Sequence, residues 1–119
     1  MVIDVGTNND TLLNHPLYFG LRRHRLEGDE YFELIDEFMR AVLARYPNVL
    51  IQFEDFSTQH AQALLDRYRD HHLVFNDDIQ GTATTVLGGI YGALAVKKMK
   101  AKDITEQKIV VAGAGSAGM

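Results

Sequence analysis

The sequence predicts an α/β fold in which short parallel strands alternate with helices. Four apolar runs rich in β-branched and aromatic residues are separated by helical patterns, and this order is typical of a parallel sheet. A glycine-rich turn of the form G-x-G-x-x-G directly follows the last apolar run, as it does at the beginning of a Rossmann-type dinucleotide-binding domain. We therefore expect the chain to end at the start of such a domain.

The four predicted strands are apolar along their length and do not alternate with polar residues. They cover residues Met1 to Val5, Val49 to Phe53, Leu73 to Phe75 and Ile109 to Ala112. Continuous apolar runs of this kind are typical of strands that are covered on both faces. The pattern thus favours a parallel sheet.

The first two predicted helices each have one apolar face. The first runs from about Glu30 to Arg45 and ends at Pro47 and Asn48. Its apolar residues recur every three or four positions, and they are Tyr31, Leu34, Ile35, Phe38, Met39, Val42 and Tyr46. The second begins near Ser57, a favourable N-cap residue. Its expected buried residues are Ala61, Leu64, Leu65 and Tyr68, and those expected to face water are Asp66, Arg67, Arg69 and Asp70.

The third predicted helix is rich in glycine. It runs from about Ile79 to Lys98 and contains Gly81, Gly88, Gly89 and Gly92. An interior glycine costs roughly 0.5–1 kcal/mol relative to alanine. The glycines therefore favour either close backbone packing against this helix or a kink in it.

The composition is that of a globular chain, and it excludes several classes of function. A length of 119 residues allows one compact domain. The formal net charge of −4 argues against a nucleic-acid or anionic-membrane partner. The chain has no cysteine, which excludes disulfides and thiolate zinc sites. We expect neither a secretory signal nor a transmembrane helix, because no apolar run approaches the roughly 20 residues that span a bilayer.

Two polar segments near the N-terminus allow more than one interpretation. Residues Gly6 to Asn9 follow a predicted strand and form either a plain turn or part of the rim of a site. The basic cluster Arg22 to Arg25 lies in an irregular connection around Pro16. It is either a solvated loop or a subunit contact.

Two acidic pairs follow two of the predicted strands. Glu54 and Asp55 come directly after the second strand, and Asp77 and Asp78 come after the third. The pairs are about one helix and one strand apart, so both are expected at the same edge of the sheet. Carboxylates gathered there repel one another unless a cation lies between them, and Mg²⁺ or Mn²⁺ prefers such oxygen ligands. The alternative is that these residues cap the helices that follow and complement their dipoles.

The glycine-rich turn comprises Gly113, Ala114, Gly115, Ser116, Ala117 and Gly118. In this motif the first glycine makes the tight turn, the second lets a pyrophosphate approach the backbone, and the third packs a helix against its strand. These six residues are the candidate dinucleotide-binding residues. The helix and the acidic residue that complete the motif are missing before the end of the chain, so we expect the chain to be a fragment of a larger protein.

Five segments together resemble the malic enzymes. They are Asp4 to Asn9, Ile35 to Met39, Ile51 to Phe56, Phe75 to Ala83 and Gly113 to Gly118. The resemblance covers essentially the whole chain, and the segments Gln-Phe-Glu-Asp-Phe and Phe-Asn-Asp-Asp-Ile-Gln-Gly-Thr are highly specific. It implies an oxidoreductase that oxidatively decarboxylates (S)-malate to pyruvate and CO2, with reduction of NAD or NADP and with Mg²⁺ or Mn²⁺.

The resemblance also implies roles for individual residues. The residues that match Glu54, Asp55 and Asp78 bind the divalent metal in that family, and the residue that matches Asp77 lies in the active site beside the catalytic lysine. The metal would chelate malate and act as a Lewis acid. The family's tyrosine acid, its lysine base and a substrate-binding arginine come from segments before this chain, so we expect the chain alone to be inactive.

The implied organisation has three parts. Residues 1–78 form a metal- and substrate-binding α/β part, and residues 79–107 form a connecting helix and linker. Residues 108–119 are the first strand and the glycine-rich turn of a truncated NAD(P)-binding domain. The family further implies a homo-oligomeric protein of the cytoplasm or the mitochondrial matrix, with malate and pyruvate as small-molecule partners.

Two other classes of function are open from the residues alone. A non-catalytic binding or assembly module could pair the uncovered strand Ile109 to Ala112 with another copy of the chain, since an unpaired strand edge favours association. The acidic strand ends could instead belong to a Mg²⁺-dependent phosphotransfer domain. That interpretation would not explain the glycine-rich turn.

Overall fold

A computed structural model describes residues 1–118, and the chain divides into two compact units, Met1–Asn48 and Val49–Met119. The first unit contains two helices, and the second contains a two-stranded parallel sheet with its helices. The chain is therefore a small α/β fold, as the sequence predicts. The predicted boundaries at residues 78 and 107, and the Rossmann-type part of the fold class, stay predictions.

Two helices form the regular structure of the first unit. Helix α1, Asp10–Leu13, is capped by Asn9, whose side-chain oxygen accepts from two backbone N–H groups of the first turn. Helix α2, Gly28–Arg45, matches the first predicted helix, and its apolar stripe is buried at Tyr31, Ile35 and Met39.

The predicted strand Met1 to Val5 is wrong, because among the described residues this segment belongs to no sheet. It is held instead by a loop, where Val5 accepts from the Leu26 N–H and Thr7 donates to the Arg23 carbonyl. The Asp4 carboxylate adds bonds from the N–H groups of Gly6 and Leu21. These isolated bonds do not repeat along the segment, so no strand ladder forms.

The basic cluster is part of the same loop. The Arg22 guanidinium donates to four backbone carbonyls between Leu13 and Tyr18, and the Arg25 N–H donates to the side chain of Asn8. Arg22 and Asn8 thus hold this irregular connection together. Asn9, in the segment Gly6 to Asn9, caps helix α1.

The second unit is built around two short strands and the helix that connects them. Strand β1, Ile51–Phe53, pairs in parallel with β2, Val74–Asn76. Helix α3, Thr58–Tyr68, makes the crossover between them and begins after Ser57, as predicted. The predicted buried face of α3 is confirmed at Ala61, Leu64, Leu65 and Tyr68. The rings of Phe53 and Tyr68 meet edge to face at 6.0 Å between centroids, which joins α3 to β1.

The third predicted helix divides into two parts. The chain first makes one π-helical turn, Asp77–Gly81, which we call the π turn, and then forms helix α4, Thr82–Val96. Among the described residues nothing lies within 4 Å of a side chain added at Gly88, Gly89 or Gly92. The close backbone packing that these glycines favour is therefore not seen in this part of the chain.

The segment Asp77–Val96, of 20 residues, is long and apolar enough to cross a membrane by length and composition, with a mean hydropathy of 1.2 over its most apolar 18 residues. The expectation that the chain has no transmembrane helix stays a prediction. Helices in the cores of soluble proteins meet the same criterion, so the finding is weak evidence for a membrane span. The residues of α4 are exposed except for Leu94, which is buried, and Thr82 and Ile90, which are half-buried.

The predicted strand Ile109 to Ala112 is also wrong for the part of the chain that the structure describes. The segment follows a 3-10 helix, Ala101–Glu106, and has no sheet partner, with Val110 90% exposed. A β-branched run forms a strand only when another strand accepts its backbone bonds. The strand edge that the assembly hypothesis requires is therefore absent from the described residues.

Candidate metal centre

The acidic pairs lie together because β1 and β2 are parallel and in register. Phe53 and Asn76 are paired across the sheet, so Glu54 and Asp77 leave the two strands side by side. This arrangement agrees with the expectation that both pairs lie at one edge of the sheet.

Three of these residues form one cluster. Glu54, Asp55 and Asp78 each offer a carboxylate oxygen, and the three oxygens lie within 4.8 Å of one another. Glu54 and Asp55 are exposed, and Asp78 is half-buried. Oxygens on opposite sides of an octahedral Mg²⁺ with bonds of roughly 2.0–2.1 Å lie about 4 Å apart. The donor type therefore fits a hard divalent cation, and the spacing fits it once the three oxygens move slightly closer together.

The backbone at Asp55 adopts an unusual conformation that is part of the cluster. Its φ of 60° lies in the left-handed region, which costs most residues roughly 1–2 kcal/mol but is more readily adopted by Asp and Asn. The Asp55 N–H donates to the Asp78 carboxylate at 2.9 Å. The turn after β1 is thus tied directly to the π turn after β2.

An amide side chain joins the remaining carboxylates. The Gln52 Nε2 donates to Glu54 Oε2 at 3.1 Å and to Asp77 Oδ2 at 2.7 Å. Asp77 is not one of the three clustered residues, but the amide holds it next to Glu54.

The electrostatics of the cluster are most evident at Glu54. The hydrogen bond from Gln52 lowers the pKa of Glu54, but the side chain of Asp77 and the charge of Asp78 outweigh it. The net pKa of Glu54 is raised above its ordinary value of 4.5. Neighbouring carboxylates have this effect because a like charge disfavours ionisation, and a bound cation would reverse it.

The π turn is held by the side-chain amides of Asn76 and Gln80. Asn76 is fully buried, and its side-chain oxygen accepts from the Ile79 N–H at 3.0 Å. The side chain of Gln80 accepts from the Asn76 N–H at 3.0 Å. These two bonds close the turn on which Asp77 and Asp78 are carried. Asn76 Nδ2 has no partner among the described residues.

A cavity of about 320 Å³ opens beside the carboxylates. It is lined by Glu54, Asp77, Asp78, Gly81, Thr82, Thr85 and Val86. A side chain added at Gly81 would overlap the Asp77 carboxylate. The absence of a Cβ at this position therefore makes room for Asp77 at the cavity wall.

The glycine-rich turn lies next to this centre. Gly113 has a φ of 139°, and Ser116–Gly118 form one 3-10 turn in contact with the π turn and α3. The Ser116 hydroxyl donates to the Thr58 hydroxyl at 3.1 Å. A side chain added at Gly118 would lie 2.9 Å from the Gly113 carbonyl. Ala114, Gly115 and Ala117 are exposed, so the backbone of this turn is open to a ligand.

Sequence reasoning located the acidic residues but assigned no role to Gln52, Asn76 or Gln80. A signal for Gln52 was present, because residues two apart on a strand share a face and Gln52 precedes Glu54 by two. The roles of Asn76 and Gln80 depend on the π turn, which has no sequence pattern of its own.

Comparison with known proteins identifies the family. Residues 1–69 match the family described as "Malic enzyme, N-terminal domain", and residues 79–119 match "Malic enzyme, NAD binding domain". The chain belongs to the malic enzyme family. The chain is 55% identical over 119 residues to the mitochondrial NAD-dependent malic enzyme of Solanum tuberosum. It is 53% identical over 118 residues to the NAD-dependent malic enzyme of Cronobacter sakazakii.

These relatives are much longer than the chain. The alignments cover 100% and 99% of this chain but only 19% and 20% of the Solanum and Cronobacter malic enzymes. The chain thus spans about a fifth of the length of the curated relatives that it matches. Its homologues are NAD-dependent malic enzymes, and the resemblance seen in the sequence is confirmed at the level of the family.

Proposed function

We propose that this chain is the part of an NAD-dependent malic enzyme that carries the metal centre and the first turn of the dinucleotide site. The reaction is the oxidative decarboxylation of (S)-malate to pyruvate and CO2. The observation that carries the proposal is the convergence of Glu54, Asp55 and Asp78 within 4.8 Å, next to the glycine-rich turn. Neither feature alone would distinguish a malic enzyme from another metal-binding protein.

The carboxylates of Glu54, Asp55 and Asp78 hold a divalent cation, Mg²⁺ or Mn²⁺. When bound, this cation supplies a Lewis acid for the oxygens of malate. The left-handed backbone at Asp55 and the bond from its N–H to Asp78 fix the two aspartates relative to each other. The chain therefore provides a largely preformed set of oxygen ligands.

Asp77 has a different role from its neighbours. Its carboxylate accepts a hydrogen bond from Gln52 and lines the cavity beside Glu54 and Asp78. In this position it faces the space in which malate would lie, and it acts there as the active-site carboxylate. Groups that transfer protons to or from malate would come from parts of the enzyme outside this chain.

The residues Gly113, Ala114, Gly115, Ser116, Ala117 and Gly118 contact the dinucleotide. NAD is favoured over NADP because the relatives are named as NAD-dependent. The 3-10 turn Ser116–Gly118 contacts the π turn, which supports a dinucleotide bound close to the metal centre, as transfer of a hydride from malate requires. The whole enzyme is proposed to be a homo-oligomer without nucleic-acid or membrane partners.

The test is a chimera in which these 119 residues replace the matching segment of the Solanum tuberosum malic enzyme. The unsubstituted chimera is expected to reduce NAD in the presence of malate and Mn²⁺ and to release CO2. Glu54→Gln and Asp78→Asn are expected to lower kcat at least about a hundredfold, because each removes one charged ligand. The exposed Gln59, on α3, provides the control variant Gln59→Met. An inactive unsubstituted chimera that is folded would refute the proposal.

A further inference from the structure

We propose that Gln52 is a positioning residue of the active site, which fixes the Asp77 carboxylate relative to Glu54 through its side-chain amide. This inference rests on the proposed function, since it concerns the same site. Gln52 itself is not a ligand in the carboxylate cluster.

The first argument is the number of donors. A side-chain amide nitrogen carries two hydrogens, and both hydrogens of Gln52 are used, one on Glu54 and the other on Asp77. The bond to Asp77, at 2.7 Å, is the shorter of the two. Hydrogen bonds to ionised acceptors are roughly twice as strong as neutral ones. Both hydrogens of the amide thus form charge-assisted bonds, one with Glu54 and one with Asp77.

The second argument is the register of the sheet. Ile51 and Phe53 point to the buried face of β1, and Gln52 points to the exposed face. Glu54 follows Gln52 by two residues, so both side chains lie on the same face. Gln52 is paired with Phe75, two positions before Asp77. The Gln52 amide therefore approaches the carboxylates of Glu54 and Asp77 from the strands and leaves open the side that faces the cavity.

The third argument concerns charge. A lysine or arginine in this place would also bridge Glu54 and Asp77, but its positive charge would compete with a divalent cation for the same carboxylates. The Gln52 amide is neutral, so it orders Glu54 and Asp77 without cancelling the negative potential that attracts the cation. This combination of hydrogen-bond donors and zero charge suits a residue that positions ligands.

Gln52 joins two carboxylates of different function, since Glu54 belongs to the cation cluster and Asp77 does not. Its loss should therefore affect two measurements. The cation should bind more weakly because Glu54 is less ordered, and kcat should fall because Asp77 is no longer held at the cavity wall. A residue with only a structural role would change the stability of the protein and neither of these quantities in the folded state.

The experiment uses Gln52→Met, which keeps the length of the side chain and removes both donors, and Gln52→Asn, which keeps the amide but shortens its reach. Gln59→Met is the matched control, because Gln59 is exposed on α3. Each variant is made in the chimera, where kcat, KM for malate and the dependence of rate on Mn²⁺ are measured. The side-chain amide signals of Gln52 are followed by NMR in the 119-residue chain while Mg²⁺ is added.

We expect Gln52→Met and Gln52→Asn to lower kcat about tenfold or more, with KM for malate changed by less than about threefold and with a higher Mn²⁺ requirement. Gln59→Met should match the unsubstituted chimera. The Gln52 amide signals should shift on addition of Mg²⁺ while those of Gln59 stay in place. An unchanged kcat and Mn²⁺ requirement in folded Gln52→Met would overturn the inference. An inactive unsubstituted chimera would instead overturn the proposed function.

Discussion

The backbone N–H of Asp55 donates a hydrogen bond of 2.9 Å to the carboxylate of Asp78. The two residues are 23 positions apart, and the parallel pairing of β1 with β2 brings them together. One oxygen of Asp78 is therefore fixed by the backbone of another residue of the carboxylate cluster. This bond organises the cluster before any cation is present.

The left-handed backbone at Asp55 gives a first prediction. Asp55→Asn keeps a side chain that tolerates this conformation but removes the charge, whereas Asp55→Ala also adds backbone strain. We expect both variants to bind Mn²⁺ at least about tenfold more weakly. Only Asp55→Ala should lose stability as well, by about 1 kcal/mol. Calorimetric titration and urea unfolding measure the two effects, and equal stability of the variants would contradict the assignment of strain to Asp55.

A second prediction compares two glycines. In Gly81→Ala the new methyl group would overlap the Asp77 carboxylate, so Asp77 must move away from the cavity wall. We expect kcat of the chimera to fall about tenfold or more. Gly88→Ala is the matched control, because nothing described lies within 4 Å of its Cβ. The control should raise the free energy of unfolding by roughly 0.5–1 kcal/mol and leave kcat unchanged.

The cap of the π turn gives a third prediction. In Asn76→Ala the Ile79 N–H loses its acceptor, and loss of such a cap costs about 1–2 kcal/mol. Asn76→Asp keeps the acceptor oxygen but places a charge in a fully buried position, so it should destabilise at least as much. Urea unfolding of the two variants and the unsubstituted chain provides the comparison. A change below about 0.3 kcal/mol in Asn76→Ala would show that the cap is not needed.

A fourth prediction concerns stability against pH. Hydrogen bonds from the backbone of Leu21 and Gly6 lower the pKa of Asp4 below its ordinary value of 3.8. A lowered folded-state pKa gives stability that is present above 3.8 and is lost as the pH falls through the folded value. Asp4→Asn should therefore flatten the acid limb of the stability curve. If the curves of the two proteins stay parallel in acid, the Asp4 bonds do not stabilise the loop.

A fifth prediction concerns Glu54, whose contribution to stability should depend on pH in the opposite direction to that of Asp4. Its pKa is raised above 4.5, so its contribution is fully present below 4.5 and is lost as the pH rises through the folded value. The metal-free chain should lose stability over this interval, and Glu54→Gln should remove the loss. Saturating Mn²⁺ should also remove it in the unsubstituted chain. Thermal unfolding at several pH values, with and without Mn²⁺, measures both effects.

Much of the second unit could be predicted from the sequence. The apolar spacing in α3 identified its buried face, and the placement of acidic residues after two strands identified the cluster of carboxylates. These features depend on local periodicity and on the general geometry of parallel sheets. The π turn could not be foreseen, because its winding depends on local bonds between the side chains of Asn76 and Gln80 and the backbone, and apolar spacing does not reveal such bonds.

The two wrong strands share one physical cause. Met1 to Val5 and Ile109 to Ala112 have the β-branched composition of strands, but composition does not supply a pairing partner. The first segment is bonded by a loop, and the second has no sheet partner among the described residues. A strand forms only when a second segment pairs with it, so a strand-like pattern in one segment is not sufficient to predict a strand.

The three-residue pairing of β1 with β2 makes the centre unusually sensitive to insertions and deletions. Removing one residue between α3 and β2 would slide β2 by one position, so that Asn76 would leave the pairing with Phe53 and the side chains of β2 would exchange faces. Every carboxylate of the cluster would still be present in the sequence, but the carboxylates would no longer meet. A substitution changes one group of this site, whereas a deletion between β1 and β2 would separate all of its groups at once.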